Sequence, residues 1–189
     1  AFATADQGFC DIRPFCGESH VFPFTPRRLL KRPLGRLNQL QRLRDLAGLR
    51  ALGLVAAQEI DGRGYDVVLV EPCMWTQAPA LLRYLGTPSV YHCHELPRVL
   101  YETAPLDPVR GWRTSGRRCL DRCDPMLRSY RRAARTLDWA NARSANVVVA
   151  NSRFTGRLVQ STYGVTAEIC YAGVDADAFR PASRSGGSD

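Results

Sequence analysis

Four short runs rich in β-branched residues, each followed by a turn or a stretch with helical spacing, constrain this chain more than any other feature. They are residues 65–70 (YDVVLV), 89–93 (SVYHC), 146–150 (NVVVA) and 167–171 (AEICY). Near-continuous apolar runs are typical of strands buried on both faces, and such strands occur in parallel sheets whose crossovers are helices. The first three runs each precede a predicted helix. Residues 75–85 have Pro79 near their start and Gly86 just past their end, the asymmetry expected of a helix. Asp124 with Pro125 reads as an N-cap and first helical position. That helix runs to Arg143 and turns Leu127, Tyr130, Ala134 and Leu137 inward. Asn151 or Ser152 caps the third, with Phe154, Leu158 and Val159 inward and Gly164 closing it. The pattern predicts an α/β fold, a doubly wound parallel sheet with helices over both faces.

The N-terminal third is harder to read. Pro14, Gly17, Pro23, Pro26 and Pro33 leave room only for short strands such as residues 19–24. Leucine then recurs at 34, 37, 40, 43, 46, 49 and 52, followed by Val55. At about 3.6 residues per turn, a row spaced by three drifts around the helix. Such a helix must bury several sides or break, and Gly48 and Gly53 are the expected break points. Two consecutive helical pieces ending before Gly62 are therefore predicted. Residues 103–119, with Pro105, Pro108, Gly111 and Gly116, read as a long loop.

Composition sets limits on function. With 189 residues, 45% of them hydrophobic and 23% charged, the chain has room for a core and is not of a disordered type. No apolar run approaches the roughly 20 residues that cross a bilayer, and no basic stretch leads into a hydrophobic segment at the start. Transmembrane and secretory readings are disfavoured. The seven cysteines (Cys10, Cys16, Cys73, Cys93, Cys119, Cys123 and Cys170) are odd in number, in a chain too long to need disulfide staples. A reducing cytoplasm fits them best.

The formal charge is +8, and of 26 basic residues only Lys31 is a lysine, which points to compositional bias. The arginines cluster at 27, 28, 32, 36, 42, 44 and 50, and again at 110, 113, 117, 118, 122, 128, 131, 132 and 135. Three readings compete: a solvated helix face, an anionic membrane surface, and nucleic acid. No strand interleaves aromatic and basic residues to form a stacking platform, so nucleic acid is not expected.

In open α/β sheets, ligands bind beyond the carboxyl ends of the strands. The residues there are polar: Glu71, Pro72, Cys73, Trp75 and Gln77 after the first run, His94 and Glu95 after the second, Asn151, Ser152 and Arg153 after the third, Gly173 and Asp175 after the fourth. Each also has a plain reading. Asn151 or Ser152 caps a helix, Asp175 forms a turn, Glu95 is a solvated acid, and His94 is satisfied by backbone. His92 and His94 project to the same side of their strand, which with Cys73 or Cys93 suggests a metal. Cys93 points to the opposite face and no paired C-x-x-C spacing is present, so no metal is expected. Cys119 and Cys123 read as small buried side chains.

The segment NVVVANSRFTGRLVQSTYGVTAEICYAGVDADAFRP from Asn146, with VYHCHE ahead of it, resembles the closing part of the N-terminal domain of family 4 glycosyltransferases of the GT-B fold. In that family a strand leads to an N-S-x-F helix start, a helix ending at Y-G, a last strand, and an exit G-V-D-x-x-x-F-x-P. Gly173, Val174, Asp175, Phe179 and Pro181 stand in those exit places. The resemblance covers residues 65–181, fading toward the N-terminus, and several residue types at fixed offsets make it specific.

It implies a Rossmann-like, acceptor-side domain over residues 1–180, an interdomain linker starting at 181–189, and a C-terminal donor domain absent from this sequence. The lack of an initial Met and the tail SRSGGSD fit a chain cut from something longer at both ends. The glycine-rich loop that follows the family's first strand is not evident, since residues 5–9 (ADQGF) match it poorly.

The implied activity is retaining transfer of a sugar from a nucleotide diphosphate donor, held by the absent domain, to a sugar, lipid or polysaccharide acceptor. No cofactor or metal is needed, and the fragment alone is inactive. His94 matches the family's histidine placed against the transferred sugar, and Glu95 its neighbour. Arg153, beside Asn151 and Ser152 at a helix start, is positioned for the donor diphosphate or an anionic acceptor. Trp75 suits a sugar ring or lipid, with Gln77 nearby; packing on the sheet is the alternative for Trp75. Gly173, Asp175, Phe179 and Pro181 form the hinge. The implied location is cytoplasmic, with peripheral attachment to the inner membrane face compatible with the arginines. A competing reading is a non-enzymatic basic α/β module that binds nucleic acid or another polyanion. A third, an epimerase of nucleotide sugars, is opposed by the G-V-D exit.

Overall fold

The computed structural model describes residues 1–3, 13–31, 37–101 and 124–175. Along the chain run β1 (Phe2–Ala3), a 3-10 turn (Arg13–Phe15), β2 (His20–Val21), α1 (Asn38–Asp61), β3 (Val68–Val70), a second 3-10 turn (Ala80–Arg83), β4 (Ser89–Cys93), α2 (Arg98–Tyr101), α3 (Pro125–Arg143), β5 (Val147–Ala150), α4 (Arg153–Tyr163) and β6 (Ala167–Ile169). Strands β3, β4, β5 and β6 pair in that order, all parallel, and β1 and β2 form a separate parallel pair. Strands in chain order make one wing of a doubly wound sheet. No helix among the described residues is long and apolar enough to cross a membrane.

The register decides which side chains meet. Val70 lies beside Tyr91, Tyr91 beside Val148, and Cys93 beside Ala150, so these share one face. On that face they form a core with Leu82 of the 3-10 turn, Ala142 of α3, and Val159 and Tyr163 of α4. On the other face Leu69 and Val147 remain 64% and 42% exposed. The expected covering of both faces is therefore seen on one face only among the described residues. Continuous apolar runs cannot tell a covered face from an open one.

Helix ends form where short polar side chains satisfy free backbone groups. Asp124 Oδ1 accepts from the amides of Met126 and Leu127 at 2.9 and 3.2 Å, with Pro125 at the first position. Ser152 Oγ accepts from the Thr155 amide at 3.1 Å, and Gly164, at φ 70°, closes α4 in the left-handed region. Both helices start and stop where the sequence predicts.

Two expectations need correction. The leucine row does not break: α1 is one helix of 24 residues. The drift is resolved by exposure: the buried residues Leu46, Leu49, Gly53, Ala56, Ala57 and Ile60 form a single stripe, and Leu40 and Val55, which the row carries off that stripe, face solvent. Leu46 packs with Ala134 and Leu137 of α3, while Gly53, Ala56, Ala57 and Ile60 are buried farther along. Gly53 marks a close approach instead of a break, since a Cβ there would stand 2.8 Å from the Leu81 amide nitrogen.

The helix expected over residues 75–85 is also absent, apart from the 3-10 turn at Ala80–Arg83. Cys73 and Gln77 instead exchange two backbone hydrogen bonds of 2.8 Å across a tight turn, with Gln77 at φ 54°. Both backbone groups of Ala78 are taken by α3. Its amide donates to Asp138 Oδ1 at 3.2 Å and its carbonyl accepts from Asn141 Nδ2 at 2.8 Å. A residue held this way has no groups left for a helix ladder, and Pro79 keeps it out of the helical region. The strands over 19–24, 65–70, 146–150 and 167–171 are trimmed to the bounds of β2, β3, β5 and β6. The loop expected over 103–119 lies outside the described residues.

Candidate functional site

The carboxyl ends of β3, β4, β5 and β6 lie side by side, so the residues that follow them share one edge. Cys93 pairs with Ala150, and Ala150 with Ile169. That register brings His94 next to Asn151 and Ser152. Thr155 fixes the junction: its hydroxyl lies 2.8 Å from Asn151 Oδ1, 3.0 Å from Ser152 Oγ and 3.5 Å from the His94 carbonyl. Thr155 is buried and was not singled out from the sequence. Its signal was there, as the third residue after the Ser152 cap.

His94 is 47% exposed at this edge, and its Nε2 lies 2.8 Å from Glu71 Oε2. Glu71 Oε1 in turn lies 3.1 Å from His92 Nδ1, and the two imidazole centroids are 4.1 Å apart. One carboxylate therefore spans two rings that a strand's two-residue repeat places on one side. Each of Glu71, His92 and His94 offers a ligand atom within 4.8 Å of the others, which is also a donor set of the kind divalent metals accept. Cys93 points away from the histidines, as the strand alternation predicts: it lies fully buried on the core face, where burial pushes its thiol up to about 11, and Cys73 belongs to the turn opposite Gln77.

The remaining site residues are spread around this edge. Gln77 Nε2 donates to the Glu95 carbonyl at 3.1 Å, tying the turn after β3 to the segment after β4. The Glu95 carboxylate faces Arg98 at 3.9 Å, with both side chains largely in solvent. Arg153 is the exposed first residue of α4. The amino end of that helix carries partial positive charge, so an anion placed there would meet both. Trp75 packs edge-on against Phe24, with ring centroids 5.6 Å apart, and no contact joins it to His94 among the described residues. Gly173 and Asp175 follow β6 as exposed chain without regular structure. Phe179 and Pro181 lie outside the described residues.

A cavity and a groove border α1. The cavity, about 590 Å³, lies between α1, β1, β2 and β3; it is mostly apolar and reaches Glu71 but not His94. The groove, about 500 Å³ between α1 and α3, carries Arg50, Arg83 and Arg132.

A sequence model of the family described as Glycosyltransferase Family 4 matches residues 13–178. No curated protein and no solved structure matches the chain.

Proposed function

Since the chain belongs to glycosyltransferase family 4, we propose that it forms the acceptor-side domain of a retaining, nucleotide-sugar-dependent transferase. Residues 1–180 make up this domain, residues 181–189 begin the linker, and a second Rossmann-like domain holds the nucleotide. The observation that carries the proposal is the join between His94, Asn151, Ser152 and the start of α4 at the strand ends.

Cleaving the bond between sugar and diphosphate leaves negative charge on the departing phosphate and positive charge on the sugar. Preorganised donors stabilise such charge best where water is excluded. The amino end of α4 and the Arg153 guanidinium face the phosphate. His94 hydrogen-bonds a hydroxyl of the transferred sugar, and Gln77 and Glu95 shape the wall beside it. Gly173, Asp175, Phe179 and Pro181 let the two domains close over the substrates. No resident metal or cofactor is needed for this chemistry.

The test is direct. A polypeptide carrying this chain with the nucleotide-holding domain, offered a panel of nucleoside diphosphate sugars and acceptors, is expected to release nucleoside diphosphate and keep the anomeric configuration of the sugar. An inverted product contradicts retention; no release with any donor contradicts the transferase reading.

The arginines on α1 and α3 support cytoplasmic work at an anionic membrane surface on lipid-linked or surface acceptors. Arg42, Arg44 and Arg50 of α1 and Arg131, Arg132 and Arg135 of α3 are all exposed, on two helices packed against each other. Each such residue near an anionic bilayer contributes about 1 kcal/mol. Co-sedimentation with vesicles containing anionic lipid is expected to exceed that with neutral vesicles severalfold and to fall with salt; equal binding to both removes the membrane role.

A further inference from the structure

The atoms that meet at Glu71 determine which face His94 turns toward a ligand. Its carboxylate accepts from His94 Nε2 at 2.8 Å and from His92 Nδ1 at 3.1 Å. A carboxylate can only accept, so each of those nitrogens must carry its hydrogen. Neutral His94 then has a lone pair on Nδ1, and neutral His92 a lone pair on Nε2. Among the described residues nothing bonds His94 Nδ1 from within the fold.

The surroundings of His92 favour this arrangement over a metal. His92 Nε2 is buried without a partner. A metal taken at Nδ1 would force the hydrogen onto Nε2, where no acceptor awaits it among the described residues. Histidines that bind metals almost always give that second N–H a partner.

We infer that Glu71 is a positioning residue. It locks the two histidines into opposite tautomers, so that His94 presents Nδ1 as an acceptor and selects a ligand group that donates, such as a sugar hydroxyl. This rests on the proposed sugar-transfer function only for the identity of the ligand. The tautomers themselves belong to the unliganded chain. The tautomer with hydrogen on Nδ1, the minor one for a free histidine side chain, makes His92 the diagnostic ring.

The chain has three histidines, His20, His92 and His94, so ring nitrogen spectra of the ¹⁵N-labelled protein are simple to assign. In the unliganded chain with neutral rings, His92 is expected as the Nδ1–H form and His94 as the Nε2–H form. The two rings sit on separate oxygens of Glu71; in Glu71→Gln one of those positions becomes an NH₂ donor, so one ring nitrogen meets a donor where it met an acceptor, and at least one ring is expected to change form. Glu71 is exposed, and an unchanged melting curve for the variant would show that the fold survives.

In the longer, active polypeptide the same substitution is expected to lower kcat on the order of tenfold through misplacement of His94, with the donor KM changed less. Wild-type spectra with His92 as Nε2–H, or unchanged tautomers in Glu71→Gln, would overturn the inference. Failure of any sugar to be transferred would overturn the functional reading and leave the tautomer result standing.

Discussion

Replacing Asp138 with alanine is expected to destabilise the chain by about 3–5 kcal/mol and to lower Tm on the order of 10 °C. The side chain is 1% exposed and gathers three donors from three parts of the chain. The Tyr163 and Tyr101 hydroxyls each reach Oδ2 at 2.8 Å, and the Ala78 amide reaches Oδ1 at 3.2 Å. Alanine would strand the Tyr163 hydroxyl and the Ala78 amide and leave the Tyr101 hydroxyl only the Arg135 carbonyl at 3.5 Å, and each buried donor without an acceptor costs roughly 1–3 kcal/mol. Water reaching the half-buried Tyr101 would recover part of that. Asparagine keeps an acceptor oxygen, so Asp138→Asn is expected to lose less.

The pH dependence follows from the same site. Burial raises the Asp138 carboxyl above its ordinary 3.8, outweighing the hydrogen bonds from Tyr163, Tyr101 and Ala78 that lower it. The folded chain thus holds this proton more tightly than the unfolded chain. Its contribution to stability is complete below 3.8 and declines as pH rises through the raised value. Denaturant unfolding across that window checks both points. A D138A protein as stable as wild type, or a D138N protein whose stability falls with pH as steeply as wild type, would contradict the expectation.

In a polypeptide that joins this chain to a nucleotide-holding domain, His94→Ala is expected to lower turnover by more than about tenfold, within the range associated with one positioned catalytic side chain. Stability should change by no more than about 0.5 kcal/mol, because the ring is half exposed and packs mainly on His92. If His94 acts only on the transferred sugar, kcat and kcat/KM should fall together, since the lost interaction belongs to the transition state. His94→Gln, which retains an acceptor oxygen, should recover part of the rate. Steady-state kinetics with matched melting curves measure both; turnover equal to wild type would remove His94 from the site.

Much of this arrangement is legible in the sequence where local chemistry decides it. Strand β4 runs over the five residues of its apolar run, and α3 and α4 begin at the caps Asp124 and Ser152. A cap is a hydrogen bond between residues two or three apart, so its signal is contained in the local sequence. The resemblance carried by G-V-D and N-S-x-F points to the family whose model matches residues 13–178.

What the sequence leaves unread depends on distant partners. Ala78 is kept out of a helix by Asp138 and Asn141, sixty and more residues away. Gly53 is required by the backbone of Ala80 and Leu81 and not by its own helix. Glu71 looks like one more polar residue after a strand until the pairing of Val70 with Tyr91 sets its carboxylate beside His92 and His94. Which of several polar strand ends share a partner depends on register, and register is a property of the assembled sheet.

The most direct measurement is a crystal structure of the longer polypeptide with an intact nucleotide sugar bound. The expected result is a hydroxyl of the sugar at about 2.6–3.2 Å from His94 Nδ1, with the diphosphate at the start of α4 beside Arg153. A sugar seated with His94 out of reach, or a diphosphate held away from α4, would contradict the placement of the site at these strand ends.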